Sequence, residues 1–398
     1  MKTDYDVIVV GAGLVGLTTA LACARSGASV ALLDRRKVDK GQDSRVSALS
    51  STSLCLFANL DVDIAGHLQP INDMLVTEGS PDSPWRLHFK NSGDSQAGSL
   101  GAIIENPLLR AALIERVCET ETIQIIAPAE IQTFENNTTD VRVDVGEAKL
   151  EAYLLVAADG RESSIRKKAG ITVQRFDYDA ASLVTTISHQ HPHDGLAWQR
   201  IIKGGALAVL PLTGNRSQIV WSGPSKAVNA AAAIPEGEFI ALLSEKMEDY
   251  LGEMHCRAAR QSYPLRLQVA DSLCEGRIAL VGDAAHIIHP LAGQGLNLGL
   301  RDAAALAEGV KGARKTGQDI GVASLLEYEL WRDVDIRTLG ALTHGIHEIS
   351  GTKMAPIGHA RRLGLAMINR SSILKSELKK RAAGNARDLP ELLQNGPE

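Results

Sequence analysis

Four short apolar runs in this chain end at aspartate or glycine and lead into turn or helix chemistry. Residues 6–10 read as a strand, followed by Gly11-Ala-Gly13-Leu-Val-Gly16 and a helix-like run to about Ser26. Residues 29–33 read as a second strand, ending in Asp34. Residues 152–158 are a third, ending in Asp159-Gly160, where Ser163 or Ser164 can cap the helix that follows. Residues 278–281 are the fourth, followed by a Gly282-Asp283 turn and a glycine-punctuated loop that opens a helix near Gly295. Between these runs the texture changes. Residues 183–188, 207–212 and 218–222 read as strands separated by Gly, Pro and Asn turns, which predicts a mixed, largely antiparallel sheet. From about 341 onward helical patterns dominate, interrupted by Gly351, Gly358, Gly364 and Gly384. There is no internal repeat and no low-complexity tract.

The residues at the ends of these runs point to nucleotide chemistry. In a strand–turn–helix with the pattern G-x-G-x-x-G, the first glycine permits a tight bend and the second lets backbone approach a pyrophosphate. The third lets helix and strand pack closely. Gly11, Gly13 and Gly16 stand at those positions. Asp34 lies 23 residues after Gly11, where a carboxylate can bind both hydroxyls of an adenosine ribose and repel a 2′-phosphate. FAD or NAD is thereby favoured over NADP, although Arg35 and Arg36 weaken that exclusion slightly. Asp283, at a strand end, can accept hydrogen bonds from sugar hydroxyls. The helix that opens at Gly295 offers the unpaired N–H groups of Gly295, Leu296 and Asn297, with a partial positive charge. That combination suits the ribityl chain and pyrimidine edge of a flavin, whose N1–C2=O2 region becomes negative on reduction.

With Asp159-Gly160-x-x-Ser163-x-x-Arg166 as the middle element, the three motifs resemble the FAD-dependent aromatic hydroxylases, the class A flavoprotein monooxygenases. The resemblance implies that the first motif holds the ADP half of a non-covalent FAD and the last the riboflavin half. It puts Asp159 near the pyrophosphate and the path of a pyridine nucleotide. Asp43-Ser-Arg45-Val-Ser-Ala-Leu49, Asn106-Pro107-Leu-Leu-Arg110 and residues 289–302 are similar to the branch that hydroxylates ubiquinone precursors, and the likeness covers nearly the whole chain. By that resemblance Arg45 lies near the cofactor, and the Pro290 carbonyl lies close to the reacting edge of the ring. Arg45 otherwise reads as half of a surface salt bridge. Arg110, after Pro107 in a first helical turn, reads equally as a flavin-side group or as part of a solvated face.

The implied architecture is a Rossmann-like α/β FAD-binding domain of residues 1–70, 100–175 and 272–340. It is interleaved with a mixed, largely antiparallel β-sheet substrate domain of 71–99 and 176–271, and followed by a helical C-terminal segment, 341–398. The implied chemistry is hydroxylation of a polyprenylated phenol or quinol by O2 through a flavin C4a-hydroperoxide. NAD(P)H or a reduced donor protein would supply the electrons. No residue stands out as the base that deprotonates the substrate. His289 and His286 lie near the right place, although a histidine in such a loop is commonly structural.

Composition narrows the alternatives. With 398 residues, 44% hydrophobic and 22% charged, the chain can fill two cores. A net charge of −5 argues against a nucleic-acid partner. Cys23, Cys55, Cys118, Cys256 and Cys274 show neither C-x-x-C pairing nor zinc spacing, so no metal site and a reducing, cytoplasmic compartment are expected. Without a redox cysteine pair or a second nucleotide fingerprint, a disulfide reductase is disfavoured. No tryptophan-rich halogenase motif surrounds Trp85, Trp198, Trp221 or Trp331. A flavin-linked dehydrogenase or reductase, and an FAD-binding scaffold of a biosynthetic assembly, remain as competing readings. The apolar stretch 7–24 fits a buried strand and helix better than a membrane span or signal, since Asp4 and Asp6 stand where a basic segment would be needed. Between 359 and 387 the charge reverses, with Lys375, Lys379, Lys380 and Arg381 among the basic residues and Glu377 the single acid. This stretch reads as a peripheral contact to the inner face of an anionic membrane, as a dock for other ubiquinone-biosynthesis proteins, or as the solvated face of a packed helix. Homo-oligomerisation is left open.

Overall fold

The computed structural model describes residues 3–39, 41, 43–78, 85–90, 100–146, 148–202, 204–288, 293–351 and 389–394. The basic stretch 359–387 lies outside the described residues. The helices are α1 (Leu14–Arg25), α2 (Ser51–Asn59), α3 (Asn106–Glu119), α4 (Ser164–Lys168), α5 (Ser225–Ala233), α6 (Glu236–Met247), α7 (Gly295–Thr316) and α8 (Ile320–Gly351).

Five parallel strands form the first layer, in the order Ile278–Leu280, Ala148–Ala157, Tyr5–Val10, Val30–Leu33 and Ile123–Ile126. Every residue of Val30–Leu33 and of Ile278–Leu280 is buried, as continuous apolar strands covered on both faces should be. The register sets Val10 beside Ala157 and Ala157 beside Leu280, so three strands end side by side. The turns that follow them therefore emerge at one edge of the sheet, the place where open α/β sheets bind ligands. Antiparallel strands Val141–Val145 and Thr133–Asn136 extend this sheet through Ala148–Ala157.

The second layer is a nine-stranded sheet drawn from 73–90 and 173–270, with His286–Ile287 at one edge. Its pairings are antiparallel except where Leu196–Ile202 runs parallel to Asp73–Glu78. It has its own apolar core, in which Trp198 of the sheet is buried in one cluster with Phe239, Leu243 and Met247 of α6. Each such side chain contributes ~1.5–3 kcal/mol on burial. Arg216 of this sheet reaches Glu105 at the start of α3 (2.9 Å), one of the links between the layers. The long helix α8 runs unbroken through residue 341, so the C-terminal segment begins inside a helix rooted on the first layer.

Glycine decides how closely α1 sits on the sheet. A Cβ at Gly16 would overlap the carbonyl oxygen of Gly11, whereas one at Gly13 would meet nothing within 4 Å. Overpacking of this kind costs ~1–3 kcal/mol. Gly16→Ala is therefore expected to lower the melting temperature of the cofactor-free protein by several degrees, while Gly13→Ala leaves it near wild type. Differential scanning fluorimetry checks both.

Candidate functional site

At the first turn, Gly11 has φ +106° and its missing Cβ would strike the carbonyl of Ala158, so the first and middle motifs touch through backbone. Gly13 is the N-cap of α1, facing open space beside the unpaired N–H groups of the helix start. Asp34, half-buried, accepts the Ala12 N–H at Oδ2 (2.7 Å) and the Arg36 N–H at Oδ1 (2.8 Å). Each of its oxygens keeps a second lone pair for a ribose hydroxyl. Arg110 donates to the carbonyl oxygens of Ala12 and Asp39. Burial lowers its pKa against the pull of Asp34 and Asp39. The structure thus sets Arg110, half-buried, beside the dinucleotide turn.

The middle motif explains its own spacing. Asp159 Oδ2 accepts the Ser164 and Ile165 N–H groups (2.7 and 3.3 Å), and Ser163 Oγ accepts the Arg166 N–H (3.0 Å), so both side chains cap α4. The cap turns Arg166 inward, where Nη1 donates to the Ala284 carbonyl oxygen (2.7 Å) and Nη2 to that of Arg161 (3.2 Å). An arginine of the middle motif therefore holds the third turn. Asp159 Oδ1 is buried beside Gly11 with no hydrogen-bond partner.

The third turn, Gly282–Ala284, rests on a carboxylate that is wholly buried. Asp302 Oδ2 accepts the Gly282 N–H (2.9 Å) and His286 Nε2–H (2.6 Å); Oδ1 accepts Arg332 Nε–H from α8 (2.8 Å). Arg332 and Arg301 both reach Asp335 (2.6 and 2.8 Å), which makes the cluster two acids and two guanidiniums around the histidine. Burial alone would raise the Asp302 pKa, but the fields of His286 and Arg332 and their hydrogen bonds outweigh it and hold it at about 2. Tyr328 of α8 adds a hydrogen bond to the Leu280 carbonyl oxygen (2.6 Å), two residues before the turn. Above this base Asp283 is exposed.

Helix α7 starts at Gly295, so the N–H groups of Gly295, Leu296 and Asn297 have no acceptor within their helix. A Cβ at Gly295 would meet open space. The side chain of Asn297 is committed elsewhere: Oδ1 accepts the Ser50 N–H (3.0 Å) and Ser53 Oγ–H (2.8 Å), and Nδ2 donates to the Ala48 carbonyl oxygen (2.8 Å). It ties the helix start to α2 and the strand before it. Gly299 gives the other close approach, since a Cβ there would sit 2.7 Å from Val15 and 3.1 Å from Gly282. Arg45 forms a bidentate pair with Asp43 (2.9 and 2.8 Å) and lies over the Tyr263 ring at 5.8 Å. The bond to Asp43 is the main reason its pKa is raised, and Asp283 is close enough to contribute. His289 and Pro290 lie outside the described residues.

These features fit a dinucleotide flavin. The strand-end aspartates, the open glycines at two helix starts and the unpartnered Asp159 oxygen share one edge of the sheet. Sequence reasoning assigned no role to Arg166, Asp302 or Arg332. Asp302 had a readable signal, an acid inside the Ala- and Leu-rich row of α7, which must find a partner to be buried. Arg332 had none, since only tertiary folding brings α8 beside α7. Among the described residues no cluster of His, Cys, Asp and Glu is arranged to hold a metal ion. Cys23 is pushed up to about 12 by burial, and Cys274 is raised as well, so neither is a reactive thiol.

Comparison with known proteins agrees with this geometry. The sequence family described as an FAD binding domain matches residues 4–319. The chain is 36% identical to ubiquinone hydroxylase UbiL of Rhodospirillum rubrum over 394 residues, covering 97% of this chain and 91% of that protein. It is 30% identical to the mitochondrial ubiquinone biosynthesis monooxygenase COQ6 of Drosophila melanogaster, covering 96% of this chain and 90% of the relative. Among solved structures, p-nitrophenol 4-monooxygenase PnpA from Pseudomonas putida DLL-E4 superposes with a TM-score of 0.81 at 19% identity, over 98% of this chain and 100% of that one. That likeness is one of fold.

Two predictions follow from the site's construction. Gly13→Ala, neutral for the cofactor-free fold, is expected to weaken FAD binding about tenfold or more, a loss of ~1.4 kcal/mol or above, measured by quenching of FAD fluorescence. Asp302→Asn is expected to destabilise the protein by roughly 3 kcal/mol, because it leaves Arg332 buried beside a neutral group. Because the folded pKa of Asp302 lies below the unfolded value of about 3.9, its contribution is fully present above that pH and is lost as pH falls towards about 2. The gap between wild-type and Asp302→Asn urea midpoints should therefore hold steady from neutral pH to about 4 and narrow below it.

Proposed function

We propose, from the premise that this chain belongs to the FAD-binding family of flavin-dependent aromatic hydroxylases, that it hydroxylates the ring of a polyprenylated phenol or quinol in ubiquinone biosynthesis. The observation that carries the reading is the convergence of three motif turns on one sheet edge, in a chain that aligns almost end to end with two ubiquinone-pathway hydroxylases. Bound FAD supplies the activation of O2 and the transfer of one oxygen atom to an electron-rich ring.

The protein's part is to bind and orient. Gly13 leaves the start of α1 open to the pyrophosphate, Gly11 and Gly16 let the turn and helix pack closely behind it, and Asp34 takes the adenosine ribose, with Arg110 fixing the same turn through the Ala12 carbonyl. Asp159 caps α4 with one oxygen and keeps the other buried and unpartnered beside Gly11, at the dinucleotide turn. Asp283 holds ribityl hydroxyls. The Gly295, Leu296 and Asn297 N–H groups face the pyrimidine edge, where a helix start stabilises the negative charge that builds on reduction. Arg45, braced by Asp43 and Tyr263, adds a positive charge near Asp283. By the resemblance, the Pro290 carbonyl would lie close to the reacting edge of the ring, and His289, its neighbour in the chain, is the residue to test as an aid to substrate deprotonation. Electrons come from NAD(P)H or from a reduced donor protein.

A polyprenyl substrate resides in a bilayer, and no helix among the described residues is long and apolar enough to cross one. The basic stretch 359–387 supports a peripheral meeting with an anionic surface, or with neighbouring enzymes of the pathway.

Incubation of reduced enzyme with a ring-deficient prenylated quinol under ¹⁸O2 is expected to put one ¹⁸O atom into the product, read by mass spectrometry. Label entering from water, or turnover without O2 with another acceptor, would favour the dehydrogenase reading. No oxygen consumption at all would favour a scaffold.

A further inference from the structure

Helix α8 is pinned on one side by the Asp302 cluster, and its opposite side carries a row of apolar residues that are exposed among the described residues. Val322 (58% exposed), Leu326 (65%), Leu330 (70%) and Val334 (69%) follow one another at intervals of four, and Trp331 (36%) lies beside them. Of the six large hydrophobic residues that are exposed among the described residues, five are in this row. Such a concentration is unusual for a surface that meets only water.

We propose that this row is the interface of a homodimer, in which α8 of a second copy lies antiparallel across it. The order Val-Leu-Leu-Val is the same read in either direction. A two-fold axis at the level of Tyr328, on the outer side of the helix, sets Val322 against Val334 of the second copy and Leu326 against its Leu330. Closed two-fold pairs need self-complementary patches of this kind. The same axis brings Arg337 to the level of Asp319 of the second copy, and both side chains are about half exposed. Five side chains of this size expose on the order of 500 Å² on each copy, so a pair buries ~1,000 Å², the lower limit for a specific interface. The dimer is therefore expected to dissociate on dilution into the low micromolar range or below. A lipid surface fits the row less well, because exposed Glu327 and half-buried Asp333 flank it and would be repelled by anionic headgroups. The inference is independent of the flavin chemistry.

Sedimentation velocity of the full chain with bound FAD tests it. At tens of micromolar the wild-type mass is expected to rise from 42.5 kDa towards twice that value. Leu326→Glu with Leu330→Glu puts like charges across the axis and should give monomer, with an unchanged circular dichroism spectrum and melting temperature when measured dilute. Leu326→Lys with Leu330→Glu puts opposite charges at the same places and should associate more than the double glutamate variant. A wild type that stays monomeric overturns the proposal. Two ways of reaching that result are distinguishable: loss of melting temperature in the double glutamate variant would mean that the chain's own C-terminal segment covers the row, and vesicle binding lost in that variant would mean that lipid does. Equal association of all three proteins also overturns it, since the interface would then lie elsewhere.

Discussion

One buried carboxylate holds the third turn of the candidate site together. Asp302 meets the Gly282 N–H, His286 and Arg332 at once, so the third turn, helix α7 and helix α8 cannot shift separately without leaving a charge unpaired in the interior. Apolar side chains of similar volume would pack there at least as stably. They could not accept the backbone N–H of Gly282, and so could not set the direction in which Asp283 points. The cluster thus serves orientation more than stability.

A second constraint is the distance of approach between backbones. Gly11 against Ala158, Gly16 against Gly11, and Gly299 against Val15 and Gly282 bring three turns from distant parts of the chain into contact without intervening side chains. Arg166 then crosses from the middle motif to the Ala284 carbonyl. Each motif is therefore part of the support of another, and its spacing reflects these contacts as much as contact with a ligand. The catalytic demand on individual side chains is correspondingly small, because the oxidative chemistry belongs to the cofactor and the protein contributes donors, dipoles and shape.

Charge is distributed in keeping with that division. The aspartates at this sheet edge keep acceptor capacity to spare: each oxygen of Asp34 takes a single backbone N–H, and Asp159 caps α4 through Oδ2 while Oδ1 has no hydrogen-bond partner. The guanidiniums near it are each anchored: Arg110 by carbonyl oxygens, Arg45 by Asp43 and Arg166 by the third turn. Such groups lose little further freedom when a ligand arrives, which favours tight binding by a site already in place.

The sequence by itself determined four of the five parallel strands, the three turns and the class of ligand, because local rules govern them: apolar runs make buried strands, glycines permit bends, and a helix start attracts negative charge. It also indicated the antiparallel texture of the second sheet through the Gly, Pro and Asn turns that separate the runs 183–188, 207–212 and 218–222. Tertiary structure alone decided what supports those turns. Arg332 lies 30 residues from Asp302, and Arg166 lies 118 from Ala284, separations at which no periodicity links one residue to another. It likewise decided that Arg110 faces the dinucleotide turn and that the side chain of Asn297 clamps α2, and it turned the row on α8 outward. Amphipathic spacing identifies a face of a helix, but only the packing of the whole chain says which face is left without a neighbour.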